Sequence, residues 1–381
     1  MDFSLLFCTL VLLAVGVLTI YGAGQKAGGT FEHYWQRQLY GIGIGAAAFI
    51  ICSLVDYRTI GREAWLFYGA AIFLLLLVLA TGLVVNRSRS WISVLPGFTL
   101  QPAEIAKPAT LFFLAWALSR PALRLRGAAS LIPHLLLLAL PVTLIMLQPD
   151  VGTALVFAGI TAPVFFLAGF RWKWVAACLA VLILAAIPLS YYVTRPDPPP
   201  GAPPKSGMSK MMEDERIRIR NRLGTFINPG ADSMGTGWNA RQAMMAVGSG
   251  GAAGKGFMKG TMHELGFLPR TVAPTDFIFS VIGEENGFAG SVVVLGAFLV
   301  IILRCLRLAS QADDDFGGFI TVGVAGLFFT HAYINIGMNV QASPIIGIPL
   351  PLISYGGSFI ISTLICLGLV QSVHIHRHRT E

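Results

Sequence analysis

Asp276 stands where a long hydrophilic stretch gives way to an apolar one, in FLPRTVAPTDFIF. Two roles fit a carboxylate at such a junction. Either it or Thr275 could cap the helix that begins there. It could instead be a general base, taking a proton from a sugar hydroxyl while nearby cations hold a phosphate leaving group. Glu104 and Lys107 in QPAEIAKP lie three apart and share a helical face. They either neutralise each other as a buried ion pair or hold an ammonium ready for phosphate oxygens. The run GSGGAAGKGFMKG, at 248–260, has the glycine density that lets backbone amides approach an anion, and it carries Lys255 and Lys259. The alternative is a glycine-rich turn with no ligand. A nucleotide loop is excluded, because Gly256 and not Ser or Thr follows Lys255. Asp150 in QPDVGT reads as a helix cap. Glu284 and Glu285 in VIGEENG read as buried partners or ion ligands, beside Gly287 and Gly290, which allow close helix packing.

The elements that must position these groups are membrane helices. Of 381 residues 55% are hydrophobic and 12% charged, about half the charged share of an average soluble domain. Apolar runs of near-spanning length cover 3–22, 39–55, 65–85, 105–119, 131–147, 151–169 and 173–193, and three more cover 277–306, 319–341 and 345–373. The expected fold is all-α, a polytopic membrane protein of about ten spans. Residues 1–193 hold spans one to seven, 194–276 a large loop, 277–373 spans eight to ten, and 374–381 a tail. Met1 and Asp2 lead straight into an uncharged run, so the first segment reads as a helix and not a cleaved leader. All five cysteines fall in apolar runs without paired spacing, which reads as packing.

With the N-terminus inside, the inner loops collect Arg58, Arg62, Arg120, Arg124, Arg126, Arg171, Lys173, Arg304 and Arg307, and the tail Arg377 and Arg379. The positive-inside rule therefore puts both termini in the cytoplasm and the long loop outside. Topology signals account for the net charge of +8 without nucleic acid. The loop opens with a Pro-rich linker, PDPPPGAPP, followed by Arg216, Arg218, Arg220 and Arg222 alternating with isoleucines. That alternation is either a membrane-surface element or a solvated charge run.

SWISVLPGFTLQPAEIAK, QPDVGTAL, AVGSGGAAGKGF, FLP followed by TDFIF, and GIPLPLISYGGS occur in this order between Ser90 and Ser358. Jointly they resemble the SEDS family (shape, elongation, division, sporulation), and SPIIGIPLPLISYGGS with the HIHRHR tail looks more like its elongation members than its division members. The resemblance implies a peptidoglycan glycosyltransferase of the bacterial inner membrane. It would polymerise lipid II into β-1,4 glycan strands and release undecaprenyl pyrophosphate. Its partners would be a class B penicillin-binding protein and other membrane proteins of the elongation complex. Asp276 matches the family's essential aspartate. Glu104 and Lys107 match its paired charges, Trp91 the preceding tryptophan, and Ser354 and Ser358 the SYGGS segment. Arg89, Lys255 and Lys259 are further candidates for binding substrate phosphates; the resemblance leaves a divalent cation, Mg2+ or Mn2+, as an open alternative and firmly implies no cofactor. Arg270 after FLP, two extra residues before TDFIF and Met262 depart from the family pattern. A transporter that flips lipid II is the alternative, because buried charges and glycine-interrupted spans also suit a transport path. An inert scaffold is a third, in which Asp276 is only a cap.

Overall fold

In hydrocarbon every backbone N–H and C=O must be satisfied within its own segment, so long apolar runs fold as helices. The computed structural model describes residues 1–27, 29–85, 88–95, 98–125, 128–148, 150–170, 213, 216–217, 219–222, 224, 226, 236–267 and 272–377. In chain order the helices among these residues are α1 (Phe3–Ala27), α2 (Tyr34–Leu54), a short α3 (Tyr57–Gly61), α4 (Ala64–Thr81), α5 (Pro102–Ser119), α6 (Ile132–Met146) and α7 (Val151–Leu167). They continue with α8 (Thr236–Ser249), the single turn α9 (Thr261–Glu264), α10 (Ile278–Ser310), α11 (Asp315–Asn339) and α12 (Gly357–His376). Seven of them, α1, α2, α4, α6 with the 3-10 turn that precedes it (together Ala129–Met146), α10, α11 and α12, are long and apolar enough to cross a bilayer. The chain is thus a multi-pass membrane protein. The 17-residue α7 and the charge-bearing α5 pack among these seven. The expected span at 173–193 lies outside the described residues.

α11 and α12 form the centre, buried over most of their length, whereas α4 and α6 expose most of theirs. α12 lies along α2, with glycine contacts that let the backbones approach: Gly41 meets Gly357, and Gly368 meets Phe49. α11 lies between α7 and α10.

Three boundaries differ from the hydropathy expectation. α4 stops at Thr81, and the strands β1 (Leu83–Val85), β2 (Ser88–Leu95) and β3 (Phe98–Leu100) form a three-stranded antiparallel sheet in the order β1-β2-β3. The alternating, β-branched pattern of SRSWISVL favours a strand over a helix. The final helix begins at Gly357 instead of 345 and continues to His376, so the expected tail boundary at 374 falls inside it. Residues 340–356 are non-helical: Pro349 and Pro351 lack N–H donors, and Gly347 and Leu352 have φ of +80° and +65°. α10 breaks at Gly287, whose φ of +65° and ψ of −159° are not helical.

One end of the bundle is basic. Asp2 pairs with Arg304, and Arg58, Arg62, Arg120, Arg124, Arg307 and Arg377 belong to the same end. Asp276, at the start of the 33-residue α10, lies at the other end.

Candidate active site

Asp276 is the last residue but one before α10, and its main chain is tied on both sides. Its N–H donates to the Val272 carbonyl at 3.0 Å. Its carbonyl accepts from the side-chain amides of Asn335 at 3.0 Å and Asn339 at 3.1 Å. Asn339 also accepts from the Ser280 N–H in the first turn of α10 at 3.1 Å, and Asn335 also donates to the Ile348 carbonyl at 2.7 Å. The preceding residues are held equally firmly. The Ser354 hydroxyl donates to the Thr275 carbonyl at 2.6 Å, and the Tyr355 N–H donates to the Pro274 carbonyl at 2.9 Å. Gln38 on α2 clamps the same stretch, donating to the Ser354 carbonyl and accepting from the Gly356 N–H, each at 3.1 Å.

These bonds all go to backbone. The Asp276 carboxylate itself has no hydrogen-bond partner among the described residues and is half-buried. Neither Thr275 nor Asp276 caps α10: the cap position is Phe277, without a side-chain bond. Burial pushes the Asp276 carboxyl up from its usual 3.8 to about 6; the Arg222 guanidinium pulls it down, and the Asp150 carboxylate pushes it up. Arg222 is anchored by a 3.3 Å bond to the Ile346 carbonyl. The neighbouring Gly347 leaves room for the carboxylate, since a Cβ there would come 3.3 Å from Oδ2. A carboxyl pushed up to about 6, without a hydrogen bond among the described residues and within the field of a guanidinium, is suited to accept a proton at neutral pH.

Asp150 does cap its helix, as expected. It accepts from the Thr153 N–H at 3.0 Å and the Thr153 hydroxyl at 2.8 Å, and from the Gln101 amide at 3.1 Å. The start of α7 is thereby joined to the start of α5 and to the surroundings of Asp276.

Glu104 and Lys107 form the buried ion pair at 2.8 Å, with 3% and 1% of each residue exposed. Lys107 also meets Nε2 of His331 at 3.2 Å and lies over the Phe359 ring. Nδ1 of His331 is 2.9 Å from the Pro349 carbonyl, which can only accept, so Nδ1 carries the proton and Nε2 receives one from Lys107. The pair therefore joins α5, α11 and the 340–356 segment, and its ammonium is turned away from solvent. This arrangement agrees with the ion-pair alternative.

The glycine-rich run occupies the break in α10. The Lys255 and Gly256 N–H groups donate to the Glu284 and Glu285 carbonyls, and the Phe288 and Ala289 N–H groups donate to Gly251 and Ala252. A broken helix frees these groups, and in a membrane they must find other partners. Gly254, at φ +80°, permits the approach: a Cβ there would fall 2.2 Å from the Glu285 carbonyl. The run thus behaves as the turn alternative, with its amides engaged. Lys255 donates to Glu284 at 2.6 Å and to the Thr261 hydroxyl at 2.8 Å; Lys259 is exposed.

Ser354 and Ser358 are fully enclosed. Ser358 accepts from the Gln101 N–H at 3.2 Å, so both serines join segments and do not line a surface. Trp91 is half-buried on β2 opposite Leu83, and Arg89 lies on the same strand opposite Val84, its side chain outside the described part. Arg87 and Arg270 lie outside the described residues.

Sequence reasoning missed His331, Asn335 and Asn339. Their signal is a polar stripe at four-residue spacing in the apolar THAYINIGMN segment, where an unpaired polar group is costly. Arg222 was visible only as one member of a charge run. Among the described residues no three His, Cys, Asp or Glu side chains converge to hold a metal.

Residues 3–379 match the cell cycle protein family of FtsW, RodA and SpoVE. The peptidoglycan glycosyltransferase MrdB of Escherichia coli K12 is 32% identical over 99% of this chain and 94% of its own. The peptidoglycan glycosyltransferase RodA of Treponema pallidum is 31% identical over 98% of this chain and 97% of its own. A chain in a solved peptidoglycan synthase complex, described as coordinating polymerization and crosslinking, superposes with a TM-score of 0.80. It is 29% identical over 99% of this chain and 98% of that one.

Proposed function

The chain belongs to the FtsW, RodA and SpoVE family, and from that premise we propose that Asp276 is the base with which it polymerises glycan. It is a peptidoglycan glycosyltransferase of the bacterial membrane that joins lipid II units into strands, of the cell-shape type represented by MrdB and RodA. Its partner is a class B penicillin-binding protein that cross-links the strands, and the synthase complex whose chain it resembles is described as coordinating polymerization and crosslinking.

In the proposed step the GlcNAc hydroxyl of an acceptor lipid II gives its proton to Asp276 as its oxygen attacks the anomeric carbon of the lipid-linked donor. The new C–O bond forms on the face opposite the leaving oxygen. Undecaprenyl pyrophosphate departs with the bonding pair, and an α-linked donor gives a β-linked product. One base suffices for such a single inverting displacement. The observation that carries this assignment is a carboxylate on a fixed backbone, without a hydrogen-bond partner among the described residues and pushed up to about 6. Arg222 is the cation placed to meet the developing pyrophosphate charge, because its field already reaches Asp276. Lys107 supports the site from behind through His331. Among the described residues no three carboxylate, histidine or cysteine side chains converge to hold a divalent cation. The basic end of the bundle supports a cytoplasmic location for both termini and an outward-facing Asp276.

Purified lipid II offered to the protein with its penicillin-binding partner gives glycan polymer on a gel with the wild type and none with Asp276→Asn. Equal polymer from a folded, partner-bound variant overturns the assignment.

A further inference from the structure

At the end of the bundle opposite Asp276 lies a cavity of about 530 Å³ between α3, α5 and the start of α11. Four arginines and three aspartates line it: Arg58, Arg62, Arg120 and Arg124 against Asp313, Asp314 and Asp315. The aspartates are already engaged. Asp314 caps α11 by accepting from the Gly317 N–H at 2.8 Å, and it also takes the Tyr57 hydroxyl at 2.9 Å and Arg58 Nε at 2.8 Å. Asp313 lies 3.7 Å from Arg58, and Asp315 pairs with Arg124. Arg62 and Arg120 have no carboxylate partner among the described residues, and both are exposed. Arg120 is held by the Trp116 ring, with its guanidinium carbon 4.7 Å from the ring centre. Among the described residues the indole N–H of Trp116 and Nη2 of Arg58 are buried without a hydrogen-bond partner, Nη2 lying 3.7 Å from Asp313. The cavity therefore offers two unneutralised guanidinium groups around a space large enough for a small anion.

We infer that this cavity binds the phosphate of a glycerophospholipid headgroup at the inner surface of the membrane. A guanidinium fork matches two phosphate oxygens at once, which favours a phosphate over a spherical anion. The level in the membrane favours a lipid. The cavity sits where α5 ends at Ser119 and α11 begins at Asp315, and Trp116 is the kind of residue that lies at the headgroup boundary. Basic pockets between membrane helices on the cytoplasmic side take anionic headgroups in this way. The site is separate from Asp276, and its failure would leave the polymerase assignment standing.

The test is native mass spectrometry of the full-length protein, purified from membranes and equilibrated with phosphatidylglycerol or, in a second arm, phosphatidylcholine. Wild type should retain phosphatidylglycerol in preference to phosphatidylcholine. The double variant Arg62→Ala/Arg120→Ala should retain about thirtyfold less, from the loss of two surface charges acting on one phosphate. Arg307→Ala, which removes an exposed charge at the same end but outside the cavity, should retain as much as wild type. Millimolar inorganic phosphate forms a competing arm. If it leaves the lipid bound, the headgroup is the ligand; if it displaces the lipid, the site is for free phosphate and the lipid source is overturned. Equal retention by the double variant and wild type, with matching melting temperatures, overturns the proposal, as does an equal loss in Arg307→Ala.

Discussion

Asp276→Asn should make the protein more stable while it abolishes polymerisation, and the stability gain should depend on pH in a set direction. Burial raises the folded-state carboxyl to about 6 from 3.8. The folded protein therefore holds the proton more tightly than the unfolded chain, and the charged form works against folding once the pH passes 3.8. Below about pH 4 both states are protonated, and the amide should change little. The penalty grows through the interval and is complete above 6. A difference of about two pKa units corresponds to about 3 kcal/mol, reduced to about 2 kcal/mol for the part of the carboxylate open to water. Apparent melting temperatures of wild type and variant in detergent, measured from pH 4 to pH 8, should diverge as the pH rises. The polymerisation rate of the wild type should run the same way. A base titrating near 6 is about 90% ionised at pH 7 and about 10% at pH 5, so the rate should fall roughly tenfold over that range. A melting difference that is constant across the range, or a rate unchanged at pH 5, would refute the premise that Asp276 is a buried carboxylate working as a base.

The two charges that act on Asp276 should move the rate profile in opposite directions. Asp150→Asn keeps a capping side chain for α7 and should shift the acid limb to lower pH, while Arg222→Gln should shift it higher, and pH–rate curves of the two variants read both signs. Glu104→Gln or Lys107→Met alone leaves one buried charge without its partner and should cost about 3 to 5 kcal/mol, whereas the double replacement should cost less than the sum, as thermal unfolding of all three would show. Gly254→Ala should destabilise by about 2 kcal/mol or more, because its φ is positive and its Cβ would meet the Glu285 carbonyl. Gly248→Ala, with nothing within 4 Å of its Cβ, is the control in the same melting assay.

Hydropathy alone located the helices that face lipid on one side, because an apolar run of some 20 residues has few other ways to satisfy its backbone. It failed where the chain is apolar yet not helical. Residues 345–356 are as hydrophobic as a span, but Pro349, Pro351 and Gly347 keep them out of a helix, and their polar backbone is paired inside the protein. Window averages do not register such punctuation. β1 was lost in the same way, its leucine and valines merged into the helix before it. At the site, Asp276, Asp150 and the Glu104–Lys107 pair were legible because carboxylates near spans are few. The partners of Asp276 were not, since Asn335 is 59 residues distant and acts on a carbonyl, which leaves no mark in the sequence beyond a polar residue in a hydrophobic helix.

The arrangement around Asp276 separates two demands that a single set of contacts could not meet. A base must be held still, and it must also keep its lone pairs for the substrate. Hydrogen bonds to the carboxylate would fix it but would stabilise its charged form and lower its basicity. Here Asn335, Asn339, Ser354 and Tyr355 fix the backbone on either side, and the carboxylate is left to burial and to the distant fields of Arg222 and Asp150. Position is thus set by neutral donors, and proton affinity by charges that do not touch the group. The fixing donors reside on α11 and the 340–356 segment, which the Lys107–His331–Pro349 chain ties to α5. A change at Lys107 should therefore reach Asp276 as a displacement of its backbone and not as a change of charge beside the substrate.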